Sequence, residues 1–403
     1  MIKTFYENMK NFLEDQYQKK PRAFDSVRMQ VADTVLEAFK PDSRVVWVSW
    51  LNFPMELLAA FDVATFDPEL GPGLVCTLEA DRSMEVMSEA EQGGFSIDLC
   101  SAHRLALGCQ LKGYMPKADI LLGHSYFCDG SARVNRLLAQ YHGKEAVTLD
   151  MPFGMDKKAV VYVAGQLQYV ARKIEEATGA RLDMDKLRES IRASNRARRA
   201  LNELAELQKD RPVSWNGTGT VAMSLFQHIK AGKPVQEQIY RELIDECRNN
   251  LESGALKPEN YRVLWLAWYP AQPFVTYEVF KKNGVKIVMG EQTRAFWEEI
   301  DENNPWESLA MRDFKSPYAG PIEQRLEGIM KIIDEYHIDG VVHFSHDACR
   351  HTCAAHRMIG DAVQKRGVPF LALEGDISDK RKYSEDRTRL LLESFIDVMA
   401  ARK

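Results

Sequence analysis

Short apolar runs bounded by turns alternate with longer amphipathic stretches along most of this chain. RVVWVSW (44–50), ADILLGHSYF (118–127) and EAVTLDM (145–151) are too continuously apolar for strands with one wet face, and predict buried parallel strands. Helices are predicted between them at about 54–62, 78–92, 101–113 and 131–142. Residues 157–255 read as helix almost without relief; the run KLRESIRASNRARRALNELAELQKD (186–210) is amphipathic, with Asp183 as a candidate N-cap. Arg192, Arg196, Arg198 and Arg199 on that run predict a solvated face laced with ion pairs. The alternation resumes with strands at YRVLWLAWY (261–269), VKIVMGE (285–291), DGVVHFSH (339–346) and VPFLALEGD (368–376). Helices around 274–283, 322–337, 350–366 and 384–402 separate them.

Strand–helix alternation on both sides of a helical stretch predicts an α/β fold: two doubly wound, flavodoxin- or Rossmann-like domains joined by a helical segment. A chain of 403 residues is too long for one ordinary core, which agrees with two domains. The polar turn KDRPVSWNG sets the expected boundary, giving an N-terminal domain with a helical extension at 1–210 and a C-terminal domain at 211–403. GPG at 71–73 reads as a turn, and no G-x-G-x-x-G or Walker-type loop offers a cradle for a nucleotide phosphate.

A net charge of −5 and the lack of a polybasic stretch argue against nucleic acid and membrane surfaces as partners. The opening MIKTFYENMKNFLEDQYQKK alternates charged and apolar residues, unlike a secretory signal, and no run approaches a bilayer span. The expected location is cytoplasmic. Seven cysteines, an odd number in a large acidic chain, argue against a secreted disulfide framework and leave buried thiols and metal ligands as readings.

VVHFSHDACRHTCAAHR (341–357) holds two cysteines and four histidines. A local zinc site wants paired ligands in sequence order, whereas His351 lies between Cys349 and Cys353. The C-x3-C-x2 spacing of radical enzymes that use S-adenosylmethionine also fails, because His356 stands where the third cysteine would be. Cys100 after GFSID, Cys128 after the strand at 118–127 and Cys349 after the strand at 339–346 share an address, the strand ends where open α/β sheets bind ligands. Where a cysteine opens a helix, a lowered thiol pKa is expected. Together they suggest a cluster held by three thiols from distant parts of the chain.

IDLCSAHRLALG (97–108), PKADILLGHSYFCDG (116–130), VAGQLQYVARKIEEATG (163–179), LRESIRASNRARRAL (187–201), ENYRVLWLAWYP (259–270), DGVVHFSHDAC (339–349) and LEGDISDKRKYSEDRTRLLLESFIDVM (373–399) occur in an order and spacing that resembles the 2-hydroxyacyl-CoA dehydratase family, which includes the benzoyl-CoA reductase subunits. The resemblance implies two α/β domains holding a [4Fe–4S] cluster through Cys100, Cys128 and Cys349. It implies an acyl-CoA substrate, a homologous second subunit in a heterodimer, and a separate ATP-dependent iron–sulfur activator. Activity would be the elimination of water from an (R)-2-hydroxyacyl-CoA through a ketyl radical. A benzoyl-CoA reductase-type subunit and a cluster-holding electron-relay subunit are the alternatives. A double-cubane reductase fits poorly, because LWLAWYP carries no cysteine.

By the same resemblance FDPEL (66–70) places Glu69 near the substrate as a catalytic acid or base, against a plain reading as a turn carboxylate. A serine associated with the cluster in some members has no evident counterpart in SWLNFP (49–54). His103 and Arg104 are read either as donors to the cluster or to a CoA phosphate, or as packing residues. Cys353 is read as a buried helix-face thiol, and His343, His346, His351 and His356 as supporting or solvent-facing residues.

Overall fold

The computed structural model describes residues 1–49, 53–215, 221–254, 256–270, 273–293 and 298–402. Parts of SWLNFP and KDRPVSWNG, and the side chain of Cys76, lie outside the described portion. Helices α1 (Ile2–Lys19) and α2 (Ala23–Glu37) lead into β1 (Val45–Val48), α3 (Met55–Ala59) and β2 (Ala64–Phe66). The chain then runs through α4 (Leu70–Leu78), α5 (Ala80–Gln92) and α6 (Ser101–Leu111) before β3 (Ile120–His124), α7 (Asp129–His142) and β4 (Ala146–Leu149). Next come α8 (Lys157–Thr178), α9 (Met184–Leu207), α10 (Val221–Ile229) and α11 (Pro234–Ser253). The second half holds β5 (Tyr261–Ala267), α12 (Phe274–Asn283), β6 (Val285–Gly290), α13 (Pro305–Phe314), α14 (Ile322–Glu335), β7 (Gly340–His346), α15 (Arg350–Lys365), β8 (Phe370–Gly375) and α16 (Glu385–Ala400).

The described strands form two parallel four-stranded sheets, in the orders β2-β1-β3-β4 and β6-β5-β7-β8. Each order reverses direction beside its first strand, which opens a crevice at the carboxyl ends of the central pair. Helices cover both faces, so the expected doubly wound α/β class is the observed one. The continuous apolar runs follow from that burial: β1, β3 and β7 are buried along their whole length.

One device recurs at the start of each central pair. Asp119, just before β3, accepts from Val45 N at 2.7 Å, and Asp339, just before β7, accepts from Arg262 N at 2.8 Å. Each carboxylate closes an N–H at the start of the neighbouring strand and thereby sets the ladder register. Core membership does not follow chain order. Met223, Phe226, Leu243 and Cys247 of α10 and α11 pack into the core that covers one face of the first sheet, and Leu309 and Phe314 of α13 pack into the core on its other face.

The helical stretch after residue 157 is as expected. Asp183 accepts from Asp185 N at 2.9 Å and Lys186 N at 3.1 Å, and Arg192, Arg196 and Arg199 pair with glutamates at the surface. Two expectations are corrected. GPG (71–73) lies inside α4, because a proline in the first turn of a helix gives up an N–H that has no partner there anyway. GFSID forms no strand; Cys100 comes instead from the connection between α5 and α6.

Gly108 lets α6 lie directly on α5, since a Cβ there would overlap the Val86 carbonyl oxygen. Gly108→Ala is therefore expected to lower stability by about 1–3 kcal/mol, read as a lower urea midpoint. An unchanged midpoint would show that the two helices separate without cost.

Candidate functional site

The carboxyl ends of both sheets face one cleft of about 620 Å³, lined from both halves of the molecule. Cys100, Cys128, Cys349 and Glu69 all line it. The four residues singled out from the sequence are therefore brought together, although they are spread over 281 positions of chain (349 − 69 + 1).

Each cysteine is the N-cap of a helix: Cys100 of α6, Cys128 of α7 and Cys349 of α15. The unpaired N–H groups of a first turn point toward such a position and favour negative charge. For Cys128 this is a direct contact, with Ser131 N donating to the sulfur at 3.3 Å. The expected lowering of thiol pKa is nevertheless overturned for two of the three. Burial pushes the Cys100 thiol well up, and the Glu69 carboxylate and Cys349 push in the same direction. Burial, again followed by Glu69, carries Cys128 up to about 12 against the pull of the Ser131 N–H. Desolvation outweighs a helix terminus when no cation is present. Among the described residues, no three His, Cys, Asp or Glu side chains gather as a site for a metal ion.

Glu69 is buried, which corrects the plain reading of a turn carboxylate at the surface. Asp67 at the end of β2 accepts from Glu69 N at 2.8 Å and Leu70 N at 2.9 Å, and this cap turns the chain into α4 with Glu69 facing the cleft. Ser131 Oγ donates to Glu69 Oε1 at 2.5 Å, and His103 Nε2 lies 3.6 Å from the same oxygen and 3.9 Å from Cys128 Sγ. Gly130 makes room for that ring, since a Cβ there would come within 2.7 Å of His103 Cε1.

Arg104 is committed to packing rather than to the cleft. It is fully buried, donating to Glu91 at 2.6 Å and to Asp379 at 3.0 Å, so α6 is tied to the second half of the chain. His346, the last residue of β7, reaches back across the same boundary, with Nε2 3.2 Å from Cys100 Sγ. Its other ring nitrogen faces Asp376 Oδ2 at 3.6 Å. Cys353 lies one turn beyond Cys349 and donates to the His346 carbonyl at 3.1 Å, so it is a half-buried helix thiol that does not line the cleft. His343 is buried beside Ser345, whereas His351 is half-buried among aromatic rings and lines the cleft.

The opposite wall is apolar. Phe127 meets Trp268, Tyr318 and His351 edge-on, with ring centroids 5.1–6.0 Å apart. Beneath it Glu291, immediately after β6, takes two hydrogen bonds from Arg325 at 2.6 and 2.8 Å and one from the Tyr318 hydroxyl at 3.2 Å. Glu291 also accepts from Ala267 N at 3.1 Å, at a residue with φ of 63°, where β5 turns toward Trp268 and Tyr269.

Two parallel sheets of like order, with three helix-capping cysteines facing the cleft between them, make this an α/β protein of doubly wound sheets. The family described as "2-hydroxyglutaryl-CoA dehydratase, D-component" matches residues 50–399, and the chain belongs to it. It is similar to the (R)-2-hydroxyisocaproyl-CoA dehydratase alpha subunit of Clostridioides difficile, 22% identical over 93% of this chain and 95% of that protein. It is likewise similar to the (R)-phenyllactyl-CoA dehydratase alpha subunit of Clostridium sporogenes, at 22% over 91% and 92%. A benzoyl-CoA reductase subunit of Thauera aromatica is 24% identical over 86% and 87%.

Proposed function

We propose that this chain is a subunit of an iron–sulfur 2-hydroxyacyl-CoA dehydratase that acts in the cytoplasm with a homologous second subunit. The observation that carries the reading is the convergence of Cys100, Cys128 and Cys349, each at a helix N-terminus, on one cleft beside Glu69. Two features suit a bound [4Fe–4S] cluster. Burial raises the thiol pKa of two of the three, and the positive charge of bound iron would favour their thiolates. Separate corners of a cluster call for thiols spread around a cavity rather than gathered about one ion. No helix among the described residues is long and apolar enough to cross a membrane.

Removing water from a 2-hydroxyacyl-CoA takes the 2-hydroxyl and one β-hydrogen and leaves an enoyl-CoA. The thioester acidifies the α position, so an acid–base pair alone cannot readily take the β-proton. When bound, the cluster would supply a low-potential electron and an iron without a cysteine ligand, open to a substrate oxygen. A thioester reduced by one electron to its ketyl radical anion expels hydroxide, its β-proton becomes acidic, and the electron is afterwards returned. An ATP-hydrolysing activator would therefore be needed only catalytically. Glu69 takes up the β-proton, held in place by the Ser131 hydroxyl and faced by His103. Phe127, Trp268 and Tyr269 keep water out and offer surface to the apolar body of the acyl group.

The test is iron and acid-labile sulfide per chain after anaerobic purification, compared with Cys100→Ala, Cys128→Ala and Cys349→Ala. Each variant is expected to lose most of both. Wild-type stoichiometry in all three would remove the proposal. Turnover with an activator separates a dehydratase from the reductase suggested by the benzoyl-CoA reductase relative: the first recycles its electron, whereas the second consumes reductant in step with product.

A further inference from the structure

Cys100 is the odd member of the cysteine set. Cys128 and Cys349 follow corresponding strands, β3 and β7, whereas Cys100 is presented by a connection between helices. What fixes its sulfur comes from the other half of the chain. His346 is 1% exposed, and its Nε2 lies 3.2 Å from Cys100 Sγ. Asp376 is fully buried with Oδ2 3.6 Å from His346 Nδ1; its Oδ1 accepts from Ser378 N at 2.8 Å and Asp379 N at 2.7 Å. The same short loop delivers Asp379 to Arg104, one turn along α6 from Cys100. That loop therefore holds the helix that presents this cysteine.

We propose that His346 is a positioning residue that donates its Nε2–H to the Cys100 sulfur and thereby raises the reduction potential of the cluster. The inference rests on the dehydratase reading, since it needs an iron-bound Cys100. A sulfur bound to iron has no proton to give, so the hydrogen across the 3.2 Å contact belongs to the imidazole. An N–H directed at a ligand sulfur stabilises the more negative, reduced state of a cluster, and withdrawal of the donor favours the oxidised state. Because the donor and the sulfur sit in different halves of the chain, the potential depends on how the halves are docked.

The experiment is an EPR-monitored redox titration of anaerobically purified wild type, His346→Leu and His346→Gln. Circular dichroism checks the fold, and iron per chain is measured on every sample. His346→Leu fills the space without a donor and is expected to shift the midpoint to a more negative potential, or to lose iron while folded. His346→Gln keeps an N–H and is expected to stay near wild type. If Leu and Gln variants behave alike, whether both keep the wild-type midpoint or both lose the cluster, the proposal is overturned, because the N–H is what distinguishes them. An iron-free wild type would instead sink the dehydratase reading itself.

Discussion

Glu69→Gln is expected to lower turnover of a 2-hydroxyacyl-CoA by about 10²- to 10⁴-fold, the usual worth of a positioned general base, while leaving iron content unchanged. Glutamine has nearly the same shape and still accepts from Ser131 Oγ, so α4, α7 and the cap by Asp67 keep their places. What is lost is the ability to take up a proton at a buried point beside Cys128. Ser131→Ala should cost less, since it frees the carboxylate without removing it. Steady-state kinetics on the activated enzyme decide the matter. Turnover within a few-fold of wild type would return Glu69 to a purely structural role.

Arg325→Met should destabilise the fold at neutral pH by about 3–5 kcal/mol, the cost of leaving one member of a buried ion pair without its partner. Both groups are almost wholly buried, and Arg325 supplies two of the hydrogen bonds to Glu291. Burial pushes the Glu291 carboxyl up, but Arg325, by charge and by hydrogen bonding, and the Ala267 N–H bring it below the ordinary carboxylate value. A carboxyl depressed in the folded state stabilises the protein above its unfolded pKa of about 4.3, and the benefit is lost as pH falls through the lower folded value. In the variant the same carboxyl is buried without a cation and holds its proton to higher pH. The difference in urea stability between wild type and variant should therefore shrink as the solution is acidified. A difference that is constant from pH 7 to pH 4 would contradict this account. Loss of the Glu291 tether should also loosen the turn after Ala267 that carries Trp268 into the cleft.

The strands were legible wherever burial on both faces left an unbroken apolar run, as in ADILLGH and DGVVHFSH. β2 was not, because three residues show no periodicity. α4 was masked by Gly71 and Pro72, which suggest a turn; in the structure the proline sits in the first helical turn, and Gly71 passes so close to Phe66 that a Cβ would come within 2.7 Å of its ring. The cysteine set could be read because N-caps and strand ends leave marks in sequence. The Ser131 contact had such a mark too, since Cys-Asp-Gly-Ser puts a hydroxyl three positions past an N-cap, at the start of a helix. The pairing of His346 with Cys100 had none: the two are 246 positions apart, and only the docking of the halves joins them.

Sequence likeness between the halves is itself misleading. RVVWVSW (44–50) and RVLWLAW (262–268) match with Trp47 over Trp265. The ladders say otherwise. Val46 lies opposite Ile120 and Val263 opposite Gly340, each just past its clasping aspartate, so Trp47 corresponds to Leu264. A one-residue offset reverses every side chain in a strand. Trp47 accordingly packs with α7, and Trp265 packs on the other face of its sheet with α12 and α16.

The doubled strand order makes the molecule a near-repeat of one unit, and two such units meeting alone would present an even number of thiols, one from each third strand. The detour through α4, α5 and α6 adds the odd one and lends the cleft a handedness. A molecule entering it meets carboxylate, hydroxyl and imidazole on one flank and largely aromatic rings on the other, so its two ends are never interchangeable.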